Sequence, residues 1–383
     1  MTIFLYRRRL SLTSGAGQLI RMQAEGLRSE GQDVRVACSR GAFGFFLHTR
    51  LPVKLMSTAK LNAIAASSDH LVVDHQMVLP EADLVFVHNL TTEGLRHLSR
   101  DDWVRSAADE AEFFRALNPR APVVANSELV KRGLIEHFAL DPARVVVHYP
   151  GFSPDRFAAI DRGAPASAAS RPEFARGNRE TRLDARGSLG IGASVPLVGF
   201  VTSGDFHKRG LDIFLESAER IAVAKPEVRF LVVGAKRLPA WALRHPLVTN
   251  GRVLHRPKSG RPERWFAALD VFLYPARFEE FGMVVSEAQA SGLPILTSRR
   301  VGAAECLPDV YEPWLVDEPE AAVFAEKALS LLSDEKTRFS LSAAGVASIA
   351  SFDREHYVRA TVGMIRECAR EKGALSVSRA NVR

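Results

Sequence analysis

Up to residue 149 the chain alternates short apolar runs with longer amphipathic ones. "TIFLY" (2–6), "DVRVAC" (33–38), "HLVVD" (70–74), "DLVFVH" (83–88), "PVVAN" (122–126) and "RVVVHY" (144–149) are continuous enough in apolar character to be strands covered on both faces. "SGAGQLIRMQAEGLRSEG" (14–31) reads as a turn and a helix, and "SELVKRGLIEHFAL" has helical periodicity behind an N-capping Ser127. Buried strands separated by helices predict a parallel, doubly wound sheet.

The pattern stops over 158–195, which is rich in Ala, Arg, Gly and Ser and is expected to be a linker with at most one short helix. It resumes with strands "PLVGFVTSG" (196–204), "RFLVVGA" (229–235), "RVLHR" (252–256), "VFLYP" (271–275) and "LPILTS" (293–298), and a helix over 211–224. The expected organisation is an N-terminal domain 1–157, the linker 158–195 and a C-terminal domain 196–350. A closing helix 351–372 then packs back toward the N-terminal domain, followed by a disordered tail 373–383. Two α/β halves imply a cleft between them, with ligands beyond the C-terminal strand ends.

Composition narrows the class. At 383 residues, 46% hydrophobic and 25% charged, the chain suits two soluble domains. No apolar run approaches a membrane span, and the basic residues of "MTIFLYRRRL" follow the apolar stretch, the reverse of a secretory signal. Cys38, Cys306 and Cys368 lie far apart, which excludes a disulfide framework or CxxC zinc site and suits a cytoplasmic protein. The net charge of +7 favours an anionic partner. No aromatic–basic RNA motif is present, so no nucleic-acid partner is expected.

Candidate chemistry clusters after the strands. In "RFEEFGMVVSEAQASG" (277–292), Glu279 lies just beyond the end of "VFLYP". A helix starting near Gly282 would aim the amides of Phe281, Gly282, Met283 and Val284 at an anion. Glu287 falls among Val284, Val285, Ala288 and Ala290, where a buried carboxylate needs several donors. A ribose diol would supply two. A neighbouring arginine or backbone amide would serve equally, and the residues leave both open.

In "TSGDFHKRGLDIF" (202–214), Lys208 and Arg209 precede a helix, as two fixed cations for a diphosphate or as a solvated basic turn. Gly15 and Gly17 in "SLTSGAGQLI" make half of a dinucleotide fingerprint. The third glycine is replaced by Ile20 and no acid follows the second strand, so an NAD site is not expected, while another phosphate or sugar could approach. His88 ends the strand "DLVFVH", a catalytic candidate pointing at the cleft or a structural histidine. No DxD occurs and the histidines lack metal-ligand spacing, so no metal or cofactor is expected.

These motifs resemble a family. "EEFGMVVSEAQASGLPIL" is similar to the E-x7-E signature of the retaining glycosyltransferases of family 4, with Glu279 and Glu287 as its two acids. "NSELVKRGLIEHFALDPARVVVHYPGFSPDRF" (126–157) and "SGDFHKRGLDIFLESAERI" resemble two further family segments. The likeness covers most of 120–300 and weakly the glycine loop, and it is nearest to lipopolysaccharide-core hexosyltransferases.

The resemblance implies a GT-B fold, two Rossmann-like domains with a nucleotide sugar held mainly by the second. It assigns Glu287 to the ribose, Glu279 to a catalytic position near the donor sugar, Lys208 and Arg209 to the diphosphate, and the amides of 281–284 to phosphate and sugar. Where many relatives carry an arginine, this chain has Ser203 and Gly204, so Arg277 is a candidate substitute. The implied activity is metal-independent, anomer-retaining transfer of a hexose from a UDP- or GDP-sugar to a glycan or lipid-linked acceptor. A nucleotide-sugar 2-epimerase or a non-catalytic nucleotide-sugar-binding protein are the alternatives.

One further stretch stands out. From Val34 to Ser68 there is no acidic residue, while Arg35, Arg40, Arg50, Lys54 and Lys60 are interleaved with Phe43, Phe45, Phe46, Leu47, Leu51, Leu55 and Met56. Residues 40–60 are expected either to touch an anionic membrane surface on the inner face of the plasma membrane, or to form a core helix with solvated basic ends.

Overall fold

The computed structural model describes residues 1–11, 14–40, 43–67, 70–152, 157, 181–202, 204–258 and 261–380. The chain divides into two compact units, Met1–Phe152 with Phe352–Arg383, and Ser153–Ser351.

The first unit holds β1 (Thr2–Tyr6), β2 (Asp33–Cys38), β3 (Val53–Leu55), β4 (His70–Asp74), β5 (Leu84–Val87), β6 (Val123–Ala125) and β7 (Val145–Val147). They form one parallel sheet in the order β3-β2-β1-β4-β5-β6-β7. Val, Leu, Ile and Phe point to both faces of the central strands, so each face carries its own core. Helix α1 (Gly15–Ser29) is capped by Ser14, whose hydroxyl accepts from Gly17 N. Ser127 caps the helix Glu128–Phe138 by accepting from Val130 N at 3.1 Å, as expected.

The segment 40–60 is not one helix. It forms α2 (Phe43–Thr49), then β3, and the chain enters another helix at Thr58. The β-branched Val53 and a break at Pro52 favour the extended strand there.

The second unit holds β8 (Leu197–Val201), β9 (Arg229–Gly234), β10 (Val253–Pro257), β11 (Val271–Tyr274) and β12 (Ile295–Thr297), all parallel in the order β10-β9-β8-β11-β12. Residues 181–195, expected as linker, are built into this unit. Residues 181–188 are helical, and Arg182 and Arg186 donate to the carbonyls of Ala267, Ala268 and Leu269 and pair with Asp270. Four partners of Arg186, the carbonyls of Gly192, Val195 and Ala268 and the Asp270 carboxylate, make its burial tolerable. The remainder of the expected linker, 158–180, lies outside the described residues.

The helix Arg354–Ala380 returns to the first unit and extends past the expected tail boundary at 373. Tyr357, Val358, Val362 and Ile365 pack on the α1 face and sheet, and Gln23 Nε2 donates to Tyr357 Oη at 2.7 Å. Apolar residues at helical spacing override the weak local signal of its C-terminal sequence. Among the described residues no helix is long and apolar enough to cross a membrane.

Candidate functional site

The site is built at the C-terminal ends of β8 and β11. The loop after β8 ends at Gly210, which takes φ +73° to start the helix Leu211–Ala224. A Cβ there would stand 2.0 Å from Pro275 O, so only glycine lets the loop close against the end of β11. After β11 the segment 276–282 is stitched to the next loop. Glu279 N donates to Arg300 O (2.9 Å), Gly302 N to Glu279 O (3.0 Å) and Ala303 N to Phe281 O (2.7 Å). Arg277 N donates to Lys208 O at 3.0 Å, joining the two loops.

Side chains join them more strongly. Lys208 and Arg209, expected to project as cations, turn inward and pair with the two adjacent acids. Lys208 Nζ lies 2.5 Å from Glu280 Oε2, and Nζ sits 5.4 Å above the Phe278 ring. Arg209 Nε lies 3.0 Å from Glu279 Oε2, its Nη2 donates to Glu279 Oε1 (3.3 Å) and its Nη1 to Gly204 O (3.0 Å). Tyr274 Oη accepts from Arg209 Nε (3.1 Å) and donates to Glu279 Oε2 (3.3 Å). A buried cation is costly without such a partner, which explains the inward turn. Burial works against the Arg209 charge, but Glu279 and Tyr274 outweigh it and hold its pKa above the ordinary value. Burial and the Glu279 charge push the Tyr274 phenol well up, so it remains a donor.

Gly282 has φ +90° and opens the helix Met283–Ala290, which has no side-chain cap and no acid in its first turn. That helix buries Val285, Ser286, Ala288, Gln289 and Ala290. Met283, Val284 and Glu287 are half-buried and share the other face, three and four residues apart. Glu287 is therefore not the enclosed carboxylate its sequence neighbours suggest. It sits on the strip that leads to the helix N-terminus, where an anion is favoured.

Arg277, the candidate substitute for the missing arginine, is held in an ion pair of its own. It is bidentate to Asp212 (2.8 and 2.5 Å) and donates to His207 O at 2.9 Å. Ser203 lies outside the described residues. Glu280 and Tyr274 were not singled out by the sequence. The matched doublets Lys208-Arg209 and Glu279-Glu280 were the available signal.

The other candidates lie in the first unit. Gly17 is buried in the first turn of α1, where a Cβ would stand 1.8 Å from Ser11 O, so its role is to seat the preceding loop. Gly15 is exposed at the helix start. His88 is half-buried beside His75, with His75 Nδ1 and His88 Nε2 3.0 Å apart and Phe86 stacked on His75. Burial, then the nearby Arg7, pushes the His88 pKa down to about 3. Burial, then His88 and Arg7, puts His75 well below its ordinary value. Both imidazoles are thus neutral at pH 7.

The two parallel α/β sheets have the architecture of the GT-B fold, which the solved structures below share. Residues 182–346, which contain the whole second-unit site, match the family of glycosyl transferases group 1. Among curated proteins the chain is 27% identical over 267 residues to a D-inositol 3-phosphate glycosyltransferase of Segniliparus rotundus, covering 67% of this chain and 54% of that one. A Streptomyces coelicolor protein of the same name is 28% identical over 217 residues, covering 53% and 46%. The chain spans about half the length of these relatives. Among solved structures, WaaG, a glycosyltransferase involved in lipopolysaccharide biosynthesis, matches with TM-score 0.72 at 18% identity over 95% of this chain and 99% of that one. Anabaena HepE in complex with UDP-glucose matches with TM-score 0.72 at 18% identity over 96% and 100%.

Proposed function

We propose that the protein is a retaining glycosyltransferase that moves a hexose from a nucleoside-diphosphate sugar, most simply a UDP-sugar, to a glycan or lipid-linked acceptor of the cell envelope. The observation that carries this reading is the double ion pair Lys208–Glu280 and Arg209–Glu279, which locks the cationic loop after β8 to the acidic turn before an uncapped helix. The HepE structures with UDP and UDP-glucose support the donor class, and WaaG supports an envelope role.

Breaking an anomeric C–O bond to a diphosphate places negative charge on the leaving oxygen and positive charge on the sugar. Arg209 has N–H donors on both η nitrogens beyond its protein contacts, and with Lys208 and the amides of 281–284 it would stabilise the leaving group without a metal. Glu279, held by Arg209 and Tyr274, would lie near the sugar and oppose the developing positive charge. Glu287, on the open face of its helix, would accept from the ribose hydroxyls.

A thermal-shift panel of UDP-, GDP- and ADP-sugars tests the donor class, because a ligand of the native state raises its melting temperature. Product analysis with an acceptor then tests transfer. Conversion of the donor sugar without any acceptor would instead make the protein an epimerase, and no shift with any of the three would overturn the reading.

A further inference from the structure

We infer that His75 is a positioning residue that holds His88 in one tautomer, with the proton on Nδ1. His88 then meets a substrate oxygen as a neutral hydrogen-bond donor and not as a base. The identity of that oxygen, as part of a sugar or acceptor, rests on the proposed transfer reaction; the tautomer does not.

Neighbouring strand ends bring the two rings together. β4 and β5 pair in parallel with Asp74 opposite Val85, so the next residue, His75, comes level with Phe86. His88 follows two residues on, on the same face as Phe86. Phe86 stacks on His75 with 4.8 Å between ring centroids, and His75 on His88 with 5.3 Å. His75 is 1% exposed, its backbone N–H donates to Tyr6 O at 2.9 Å, and its carbonyl accepts from Arg7 Nη1 at 3.1 Å. Backbone and stacking together leave this ring little freedom.

His75 Nδ1 and His88 Nε2 lie 3.0 Å apart, so one of them carries a proton and the other a lone pair. Both rings are neutral at pH 7, and the placing of that proton therefore decides both tautomers. The other nitrogen of His75, Nε2, is buried with no hydrogen-bond partner among the described residues. Were His88 Nε2 the donor, His75 would carry its own proton on Nε2, as a buried N–H with no acceptor. Were His75 Nδ1 the donor, Nε2 would be a bare lone pair. Orphaned N–H groups are the rarer case in folded proteins. The positive charge of Arg7 beside His75 also favours a lone pair over an N–H. His75 Nδ1–H therefore donates and His88 Nε2 accepts. The proton of His88 is left on Nδ1, which has no partner among the described residues, and His88 is half-buried rather than enclosed.

This arrangement limits what His88 can do. Its Nε2 lone pair is taken by His75, and its Nδ1 already holds a proton, so neither nitrogen is free to deprotonate a hydroxyl. It can donate to a lone pair, such as that of a sugar hydroxyl or ring oxygen, or of a phosphate or carboxylate. Its place just past the C-terminal end of β5 is where sheets of this kind receive ligands.

NMR of the full chain with isotope-labelled histidine, at pH 7 and without substrate, reads the tautomer directly. The His88 signals are those that disappear in His88→Gln, and they should show Nδ1 protonated and Nε2 bare. His75→Asn keeps an N–H donor near the place of Nδ1 and should preserve that pattern. His75→Phe keeps the stacking without the donor and should give a mixture of tautomers. With UDP-sugar and acceptor, kcat should fall about tenfold in His75→Phe at unchanged donor KM, and His75→Asn should restore most of it. A protonated His88 Nε2 in the parent, or a His75→Phe spectrum like the parent's, overturns the proposal. So does full turnover in His75→Phe, which would leave the pair a structural contact. Should His75→Phe fail to fold, the parent and His75→Asn spectra decide. Failure of the proposed reaction would show separately, as absent transfer with the expected spectrum intact.

Discussion

Lys208 Nζ and Glu280 Oε2 lie 2.5 Å apart, with both side chains less than a tenth exposed. Removing one partner takes the counter-charge at 2.5 Å from a buried ion, which costs about 3–5 kcal/mol, whereas removing both is far milder. Lys208→Met should therefore lower the urea midpoint strongly, and Lys208→Met/Glu280→Met should recover most of that loss. Equal destabilisation in the single and double variants would show that the pair does not set the stability of this loop.

Glu279 and Glu287 should separate in kinetics. Glu279 is bound to Arg209, so Glu279→Ala releases a cation and should leave UDP affinity unchanged or tighter while turnover falls by more than about tenfold. Glu287→Ala should instead weaken UDP binding by about tenfold through loss of a ribose contact. Isothermal titration checks both, and unchanged affinity in the Glu287 variant would remove the ribose assignment.

Gly282→Ala places a Cβ at 3.0 Å from Val301 Cγ1 and 3.1 Å from Glu279 Cγ, at φ +90°. The backbone strain alone is about 1–2 kcal/mol. The expected outcome is a lower melting temperature together with weaker UDP binding, since relief of the clash moves Glu279 and the helix start.

The His75–His88 pair should make the protein acid-sensitive. With the His88 pKa at about 3 against an ordinary 6.5, the unfolded chain binds more protons between those values, so stability falls as pH drops through that window. Asp74 opposes this in part. Its burial raises its pKa from 3.8 to about 6, against hydrogen bonds from Val78, Gln76 and Leu79 and the charge of Arg7, so its contribution is lost as pH rises between those values. Comparing urea midpoints at pH 7 and pH 5, His88→Gln should show a smaller drop than the parent.

If Lys208, Arg209 and the helix-end amides meet the diphosphate charge as proposed, transfer should persist in EDTA. Complete loss in EDTA with recovery on adding magnesium would assign that charge to a metal instead.

Much of the fold could be read from continuous apolar runs. "TIFLY", "DVRVAC" and "HLVVD" are β1, β2 and β4 with unchanged bounds, because strands buried on both faces need no alternation to be seen. β3 was not legible. As an edge strand of three residues, one of them the 70% exposed Leu55, it has no periodic signature. The helical residues 181–188 were hidden in an Ala/Arg-rich stretch, since their anchoring is by arginines to carbonyls rather than by an apolar stripe.

In the site, positions along the chain were readable and side-chain direction was not. Lys208 and Arg209 look like solvent-facing cations until the acids seventy residues away are brought beside them. Glu287 looks enclosed because its sequence neighbours are apolar, yet a helix separates neighbours onto opposite faces.

The return of the helix Arg354–Ala380 to α1 makes the second unit an insertion within the first, and that sets an order of events during synthesis. The face of α1 bearing Leu19 and Met22 emerges early, but Tyr357, which covers it, follows only after the whole second unit has been made. At about 5–20 residues per second, the roughly 335 residues from Met22 to Tyr357 (357 − 22) keep that apolar face uncovered for about 20–70 s. The second unit is contiguous and can fold as it leaves the ribosome, while the first cannot close until the helix Arg354–Ala380 has been made. Premature termination just before Arg354 would therefore yield a chain with one finished unit and one open core, a natural client for chaperones.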